Sequence, residues 1–265
     1  ALYERLRCEM TRHKNRLHSA VGQLYPEVKR VFKDLTGQTA VAMLKNHAAA
    51  SVIRDLSEGE FIAAVRRDYK GKRLYVSKLR RAHALAAISV GLEDGIQALQ
   101  LMVQQQLEAL ALLDRQLAEA REAMTDCFLA LPESRYMLSI HGLGLVSGAI
   151  ILAEIGDPSH YHNGRQWIKL AGSQPTPNLS GRKTRSRTPM SRKGRSRLRT
   201  TLFFAVMRLI QLDDAFARGY LRLQQRDRPL AKMEALGALM NKLLRILWAL
   251  VRKQTLYDPA FVYPG

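Results

Sequence analysis

Acidic residues are scarce in this 265-residue chain, which has 23 Asp and Glu against 42 Lys and Arg and a formal net charge of +19. Cysteine is scarcer: Cys8 and Cys127 stand far apart, which argues against a disulfide framework or a zinc knuckle and makes a reducing cytoplasm the expected compartment. No apolar run reaches the ~18 residues of a membrane span, and the first residues lack the layout of a signal peptide. The partner expected for so basic a protein is a polyanion, either a nucleic acid or an acidic membrane surface.

Alternating polar and apolar residues, the mark of a half-buried strand, do not occur over any length, so the expected fold is all-α. Residues 1–92 read as a helical linker region, whose first helix should end before Pro26. Several short helices should follow, one of them beginning at Ser57, because Glu60 three residues later completes a capping box. Residues 132–265 read as a separate C-terminal domain that closes with an amphipathic helix.

Residues 93–131 predict one long helix with a seven-residue apolar repeat. The two seam positions are filled, in order, by Ile96, Leu99, Val103, Gln106, Leu110, Leu113, Leu117, Ala120, Met124 and Cys127. A seven-residue repeat that continues for more than four heptads is typical of a coiled coil. Here the coiled coil is expected to join two copies of the chain. The alternative is a long helix packed inside its own bundle, which the extra apolar residues Leu107 and Leu112 favour.

The first motif with chemical meaning is the glycine-rich turn at 140–144, Ile-His-Gly-Leu-Gly. Such a turn between two helices is typical of a helix-hairpin-helix, in which Gly142 and Gly144 let backbone N–H groups at the next helix start bind a DNA phosphate without reading sequence. A plain glycine-rich connection is the alternative. His141 is interpreted as a solvated loop residue.

The second motif is a basic stretch. Nine cations occur within eighteen residues, namely Arg182, Lys183, Arg185, Arg187, Arg192, Lys193, Arg195, Arg197 and Arg199. From residue 158 to residue 212 there is no Asp or Glu. Because the stretch is internal and flanked by apolar helices, it predicts a folded phosphate-binding surface rather than a solvated tail. Aromatic residues are few there, which gives base stacking little support.

The third motif is Ser180, which precedes a glycine at the end of a loop rich in proline. A hydroxyl placed among arginines is well sited to attack a phosphodiester, because the cations stabilise the developing charge. Taken by spacing alone, the serine is better explained by an ordinary turn.

These motifs occur in an order that resembles a known family. The resemblance is carried by LSIHGLGLVSGAIILAEIGD, WIKLAGSQPTPNLSG and MSRKGRSRLRTTLFFAV, with LRCEMTRHKNRLHSAVGQLYPE near the N-terminus. Together they resemble the transposases of the insertion-sequence one-hundred-and-ten family, which includes the Piv DNA invertase. The match is good at both ends of the chain and loose in the middle.

The resemblance implies a transposase, and so a recombinase that acts on DNA in the bacterial cytoplasm and nucleoid, with no membrane partner. It implies that a bridge RNA selects the DNA, that a coiled coil makes a dimer which can pair into a tetramer, and that Ser180 is the nucleophile. It also implies a RuvC-like domain before residue 1, whose four acidic residues hold magnesium. No counterpart of that tetrad is found in this chain, so we expect no metal site or cofactor here.

Two departures from the family matter for function. Ser173 stands where the family usually has an apolar residue and places a second hydroxyl near Ser180. The larger departure is the absence of the acidic tetrad, since the adjacent pair Asp213 and Asp214 is interpreted as a helix end rather than as metal ligands. Without a magnesium site, we expect the chain alone to bind nucleic acid without cleaving it. Two other hypotheses are a truncated, catalytically idle DNA- or RNA-binding derivative and an unrelated helix-hairpin-helix repair accessory, against which the context of Ser180 argues.

Overall fold

Helices make up all of the regular structure in residues 2–176 and 190–261, which are the residues that the computed structural model describes. This part of the chain has twelve α-helices, three short 3-10 helices and a single isolated β-bridge, so the all-α prediction is confirmed. None of its helices is both long and apolar enough to cross a membrane. The chain divides into two compact units, residues 1–120 and residues 121–265.

The first unit is built from five helices and the beginning of a sixth. These are α1 (Leu2–Leu24), α2 (Gln38–Asn46), α3 (Ala50–Arg54), α4 (Glu58–Asp68), α5 (Val76–Ala86) and α6 (Ile96–Leu129), with a 3-10 helix at Pro26–Arg30. Its core includes the fully buried rings of Tyr25 and Phe61. The Tyr25 hydroxyl donates a hydrogen bond to the Ala82 carbonyl, and burial raises its pKa well above the ordinary range.

Local sequence signals set two of these helix ends. α1 ends at Leu24, before Pro26, as predicted. At the start of α4, the Ser57 hydroxyl accepts from the Glu60 amide at 3.3 Å, and the Glu60 carboxylate accepts from the Ser57 amide at 2.9 Å. The predicted capping box is therefore confirmed, and both amides have partners at an end where helix amides otherwise lack them.

The long helix α6 has 34 residues, and the first half of its predicted seam packs inside its own unit. Val103 and Leu110 belong to the core of the first unit, and so does the off-seam Leu107. Gln106, the polar residue in the seam, is buried and its Oε1 lies 2.8 Å from Nδ1 of His13 on α1. This half matches the alternative of a helix packed in its own bundle, while pairing through the second half stays a prediction.

The second unit contains the end of α6 and six further helices. These are α7 (Glu133–Leu138), α8 (Leu145–Ile155), α9 (Gly164–Ala171), α10 (Ser196–Leu212), α11 (Asp214–Gln225) and α12 (Lys232–Lys253), with 3-10 helices at Pro158–His160 and Pro259–Phe261. α12 packs against α7, α9, α10 and α11. The apolar stripe predicted for this helix is buried along its length, at Leu236, Leu239, Leu243, Leu244, Leu247 and Leu250.

Candidate nucleic-acid interface

Two backbone segments of the second unit, residues 170–174 and residues 191–195, are tied together by hydrogen bonds. The amide of Ser191 donates to the Gln174 carbonyl, that of Arg192 to Gly172, and that of Arg195 to Leu170, each at 2.9 Å. A β-bridge between Pro175 and Met190 continues the pairing. We call these two segments the loop clamp, because they bring together the chain on either side of residues 177–189.

The loop clamp depends on two glycines. Gly172 ends α9 with a left-handed backbone (φ +63°), which glycine adopts without steric cost. A Cβ placed on Gly194 would lie 2.4 Å from the Gly172 nitrogen and 2.5 Å from the Leu170 carbonyl oxygen. The two backbones are therefore in direct contact, and no side chain fits between them.

Ser173 belongs to the scaffold of the loop clamp. Its side chain is buried, and its hydroxyl donates to Oδ1 of Asn241 on α12 at 2.5 Å, while Nδ2 of Asn241 donates back to the Ser173 carbonyl at 3.1 Å. This reciprocal pair anchors the clamp to the central helix of the unit. The second hydroxyl that the sequence placed near Ser180 is thus engaged and shielded from solvent.

Several predicted site residues lie outside the described residues. They are Ser180, Arg182, Lys183, Arg185 and Arg187. Their predicted roles rest on the sequence.

The described cations of the basic stretch fall into two groups. Arg192 and Lys193 are exposed, and no carboxylate oxygen in residues 2–176 and 190–261 lies within 4 Å of either charge. The other three bind protein atoms. The Arg195 guanidinium donates to the Glu154 carbonyl, Arg197 Nη1 lies 3.3 Å from Glu154 Oε1, and Arg199 Nη1 donates to Ala171 and Gly194 carbonyls at 2.8 and 3.1 Å.

These contacts still leave donors for a ligand. A guanidinium has five N–H groups, and the Arg195 and Arg197 side chains keep 48% and 36% of their exposure. Glu154 is mostly buried and fixes the start of α10. The contacts of Glu154 and Asn241 were not predicted from the sequence. The available signals were that Glu154 is one of the last acidic residues before the acid-free run and that Asn241 is a polar residue in an otherwise apolar helix.

The glycine-rich turn lies between α7 and α8, as predicted. Gly142 has φ +98°, and Gly144 is the N-cap of α8 with an extended backbone. A Cβ placed on Gly142 would lie 3.3 Å from side-chain atoms of Leu209 and Leu212, so the turn packs on the end of α10. His141 is exposed, as expected of a loop residue.

α8 and α10 run in opposite directions. Glu154, in the last turn of α8, contacts the start of α10, whereas Gly142, just before α8, packs on its end. The glycine turn and the start of the basic helix therefore lie at opposite ends of the pair. Since α8 has 11 residues, the separation along its axis is about 16 Å.

Asp213 acts as a helix end, as interpreted from the sequence. It is buried, and its Oδ1 accepts from the Phe216 amide at 3.0 Å and from the Tyr257 hydroxyl at 3.3 Å. Asp214 is the first residue of α11. Within residues 2–176 and 190–261, no three His, Cys, Asp or Glu side chains are grouped so as to hold a metal ion.

Part of the second unit is similar to known transposases. Residues 134–221 match the family model described as transposase, IS116/IS110/IS902 family. A 43.6 kDa protein of insertion element IS110 from Streptomyces coelicolor is 24% identical over 255 residues, which cover 96% of this chain and 62% of that protein. The chain thus spans less than two thirds of that relative's length.

Two other relatives match a shorter part of the chain. A probable family 20 transposase from Pseudomonas aeruginosa is 34% identical over 127 residues, covering 46% of this chain and 36% of that protein. A pilin gene-inverting protein from Moraxella lacunata is 29% identical over 132 residues, covering 48% of this chain and 40% of that protein.

Proposed function

We propose that the chain belongs to the IS116/IS110/IS902 family of transposases, whose model matches residues 134–221, and that it forms the nucleic-acid-binding part of an insertion-element recombinase. Its main partner is DNA, whose backbone it contacts through the basic stretch. Ser180 is the nucleophile for strand cleavage and transfer.

The loop clamp is the observation that carries this proposal. It anchors both ends of an acid-free, basic segment to α9 and α12, and it leaves Arg192 and Lys193 exposed without a carboxylate partner in the described part of the chain. Holding cations in place before a polyanion arrives lowers the ordering cost of binding. A rigid, uncompensated basic site of this kind suits a phosphate backbone.

The antiparallel pair of α8 and α10 supports a duplex as the partner. Its two ends carry the glycine-rich turn, with Gly142 and Gly144, and the exposed cations that precede α10. Their separation of about 16 Å is about half a turn of B-DNA. We propose that a duplex lying along this pair contacts amides of the turn at one end and Arg192 and Lys193 at the other.

The proposed chemistry at Ser180 is a transesterification. The serine oxygen forms a bond to phosphorus as the bond from phosphorus to a deoxyribose oxygen breaks. The serine loses its proton and the leaving oxygen gains one, so a phosphoserine ester and a free sugar hydroxyl result. The neighbouring cations stabilise the charge on the phosphoryl oxygens.

Sequence selection is assigned to a partner, because phosphate contacts position a duplex without reading its bases. We propose that a bridge RNA of the element supplies this selection. The chain should then prefer element-end DNA over unrelated DNA only when the RNA is present.

Binding is tested with the double variant Arg192→Gln/Lys193→Gln. Each phosphate contact contributes about 0.9 to the slope of log affinity against log salt, so the slope should fall by about 1.8. The matched control is Arg115→Gln/Arg121→Gln, which removes the same charge from exposed positions of α6. Equal slopes in the two variants would contradict the assignment.

Catalysis is tested by covalent trapping with the full-length transposase, its RNA, magnesium and labelled element-end DNA. A protease-sensitive adduct that disappears in Ser180→Ala would establish the nucleophile. An adduct that persists would assign the chemistry to another residue, and tight binding without any adduct would favour the idle-derivative hypothesis. The 265-residue chain alone should bind DNA and form no adduct.

A further inference from the structure

The first unit has a basic segment of its own at residues 66–81, outside the part that matches the family model. It spans the end of α4, the loop 69–75 and the first two turns of α5. Eight of its sixteen residues are cationic and one, Asp68, is acidic. The cations are Arg66, Arg67, Lys70, Lys72, Arg73, Lys78, Arg80 and Arg81.

All eight cations of the 66–81 segment are exposed. Arg80 Nε pairs with Glu58 Oε1 at 3.2 Å, and the Asp68 carboxylate accepts from the Asn46 amide at 2.5 Å. Across residues 2–176 and 190–261, no carboxylate oxygen lies within 4 Å of the charge of any of the other seven cations. So many like charges at the end of one helix pair repel each other, and a polyanion relieves that repulsion.

The loop that joins α4 to α5 is held in one conformation. The Tyr69 hydroxyl donates to the Arg73 carbonyl, and Gln38 Oε1 on α2 lies 3.4 Å from the same hydroxyl. The Tyr75 amide donates to Thr39 Oγ1, also on α2, at 3.3 Å. These contacts tie the backbone of the loop, at Arg73 and Tyr75, to Tyr69 and to α2.

Tyr75 organises two of the cations. The Arg73 guanidinium and the Lys78 ammonium each lie 5.2 Å from the centroid of its ring, and Lys78 also lies 5.7 Å from that of Phe32. Such cation–π contacts hold a charged group near a ring without removing its hydrogen-bond donors. The exposed ring of Tyr75 is therefore already in contact with two cations.

We propose that the 66–81 segment is a second nucleic-acid-binding surface, which contacts the phosphate backbone of double-stranded DNA, and that Tyr75 positions Arg73 and Lys78 for that contact. A duplex is the favoured form because it carries about one charge per 1.7 Å of axis, twice the density of one strand, and the cations come from three successive elements. This inference goes beyond the proposed function, which concerns the second unit.

The test uses the triple variant Lys70→Gln/Lys72→Gln/Arg73→Gln of the 265-residue chain, with a labelled DNA duplex. Affinity should fall about tenfold, and the salt slope by about 2.7. The charge-matched control Arg115→Gln/Arg121→Gln/Lys253→Gln changes three exposed cations elsewhere and should keep most of the slope. Equal losses in the two variants would overturn the proposal.

The role of Tyr75 is tested separately. Tyr75→Phe keeps the ring and should bind DNA like the unaltered chain, whereas Tyr75→Leu removes both cation–π contacts and should lose affinity about fivefold. Hydrogen exchange of the α5 amides shows whether each variant retains its fold. Equal affinities of the two variants, with α5 protected in both, would overturn the positioning role.

Two further outcomes separate this inference from the proposed function. If the triple variant loses affinity only for single-stranded DNA or for an RNA duplex, the commitment to duplex DNA is overturned. If only Arg192→Gln/Lys193→Gln lowers the salt slope, the proposal for the 66–81 segment is overturned while the proposed function stands. If only the triple variant lowers the salt slope, the assignment of Arg192 and Lys193 is overturned while the proposal for the 66–81 segment stands.

Discussion

His47, at the end of α2, is a buried histidine whose Nδ1 atom has no hydrogen-bond partner in the described part of the chain. Its ring packs edge-on against Phe61, with the centroids 5.6 Å apart. Burial lowers its pKa below the ordinary 6.5, and the nearby Arg67 adds to this effect while Asp68 opposes it. The folded protein therefore holds His47 neutral at a pH where an unfolded chain already takes up a proton.

This difference predicts that acid weakens the first unit. Since the pKa is lower in the folded state, stability is fully present above pH 6.5 and falls as the pH drops below it, because the unfolded state then binds more protons. Hydrogen exchange of α2 and α4 amides at pH 7.5 and 5.5 measures the loss. His47→Leu should reduce the pH dependence and the exposed control His141→Gln should not; equal dependence in all three proteins would contradict the prediction.

At the scale of elements, the close approach of the two loop-clamp segments predicts that adding one methyl group at Gly194 lowers the free energy of unfolding. Gly194→Ala places a Cβ against backbone atoms of Gly172, Leu170 and Ala171 at 2.4–2.7 Å, so a backbone shift is required. The expected loss is about 1–3 kcal/mol of unfolding free energy. The fluorescence of Trp167 and Trp248, both in the second unit, reports it in urea.

Gly59→Ala is the matched control for that substitution. Gly59 lies in α4 with no atom within 4 Å of an added Cβ, so alanine should stabilise that helix by about 0.5–1 kcal/mol. Equal unfolding midpoints for Gly194→Ala and the unaltered chain would show that the two segments do not approach as closely as described.

These elements also show how far the sequence leads. The capping box at Ser57 and the buried stripe of α12 follow from local spacing, and both were predicted. The link between Ser173 and Asn241 joins residues 68 positions apart, and that between His13 and Gln106 joins residues 93 apart, so neither can be derived from spacing. The 66–81 segment can be found by counting charges along the sequence. Asp68 interrupts it, however, so the longer acid-free run at 158–212 is the more obvious basic segment.

At the scale of the whole molecule, positive charge is concentrated in both units. The acid-free run 158–212 belongs to the second, and the 66–81 segment to the first. If each proposed surface contacts its own phosphates, the losses in the salt slope of variants in the two units should add. If both proposed surfaces bind DNA, one chain holds either one duplex at two places or two duplexes, and a dimer has four such surfaces.

The second half of the α6 seam is where a second copy is expected to pair. Leu117, Ala120 and Met124 are half-buried, and Cys127, at the next seam position, is an exposed free thiol. In a parallel coiled coil, equivalent seam residues face each other, so mild oxidation should cross-link two chains through Cys127. Non-reducing gels should show a dimer that disappears in Cys127→Ser and persists in Cys8→Ser, which removes the other exposed thiol. A dimer lost only in Cys8→Ser, or a monomer by light scattering at every concentration, would contradict pairing through this half of the helix.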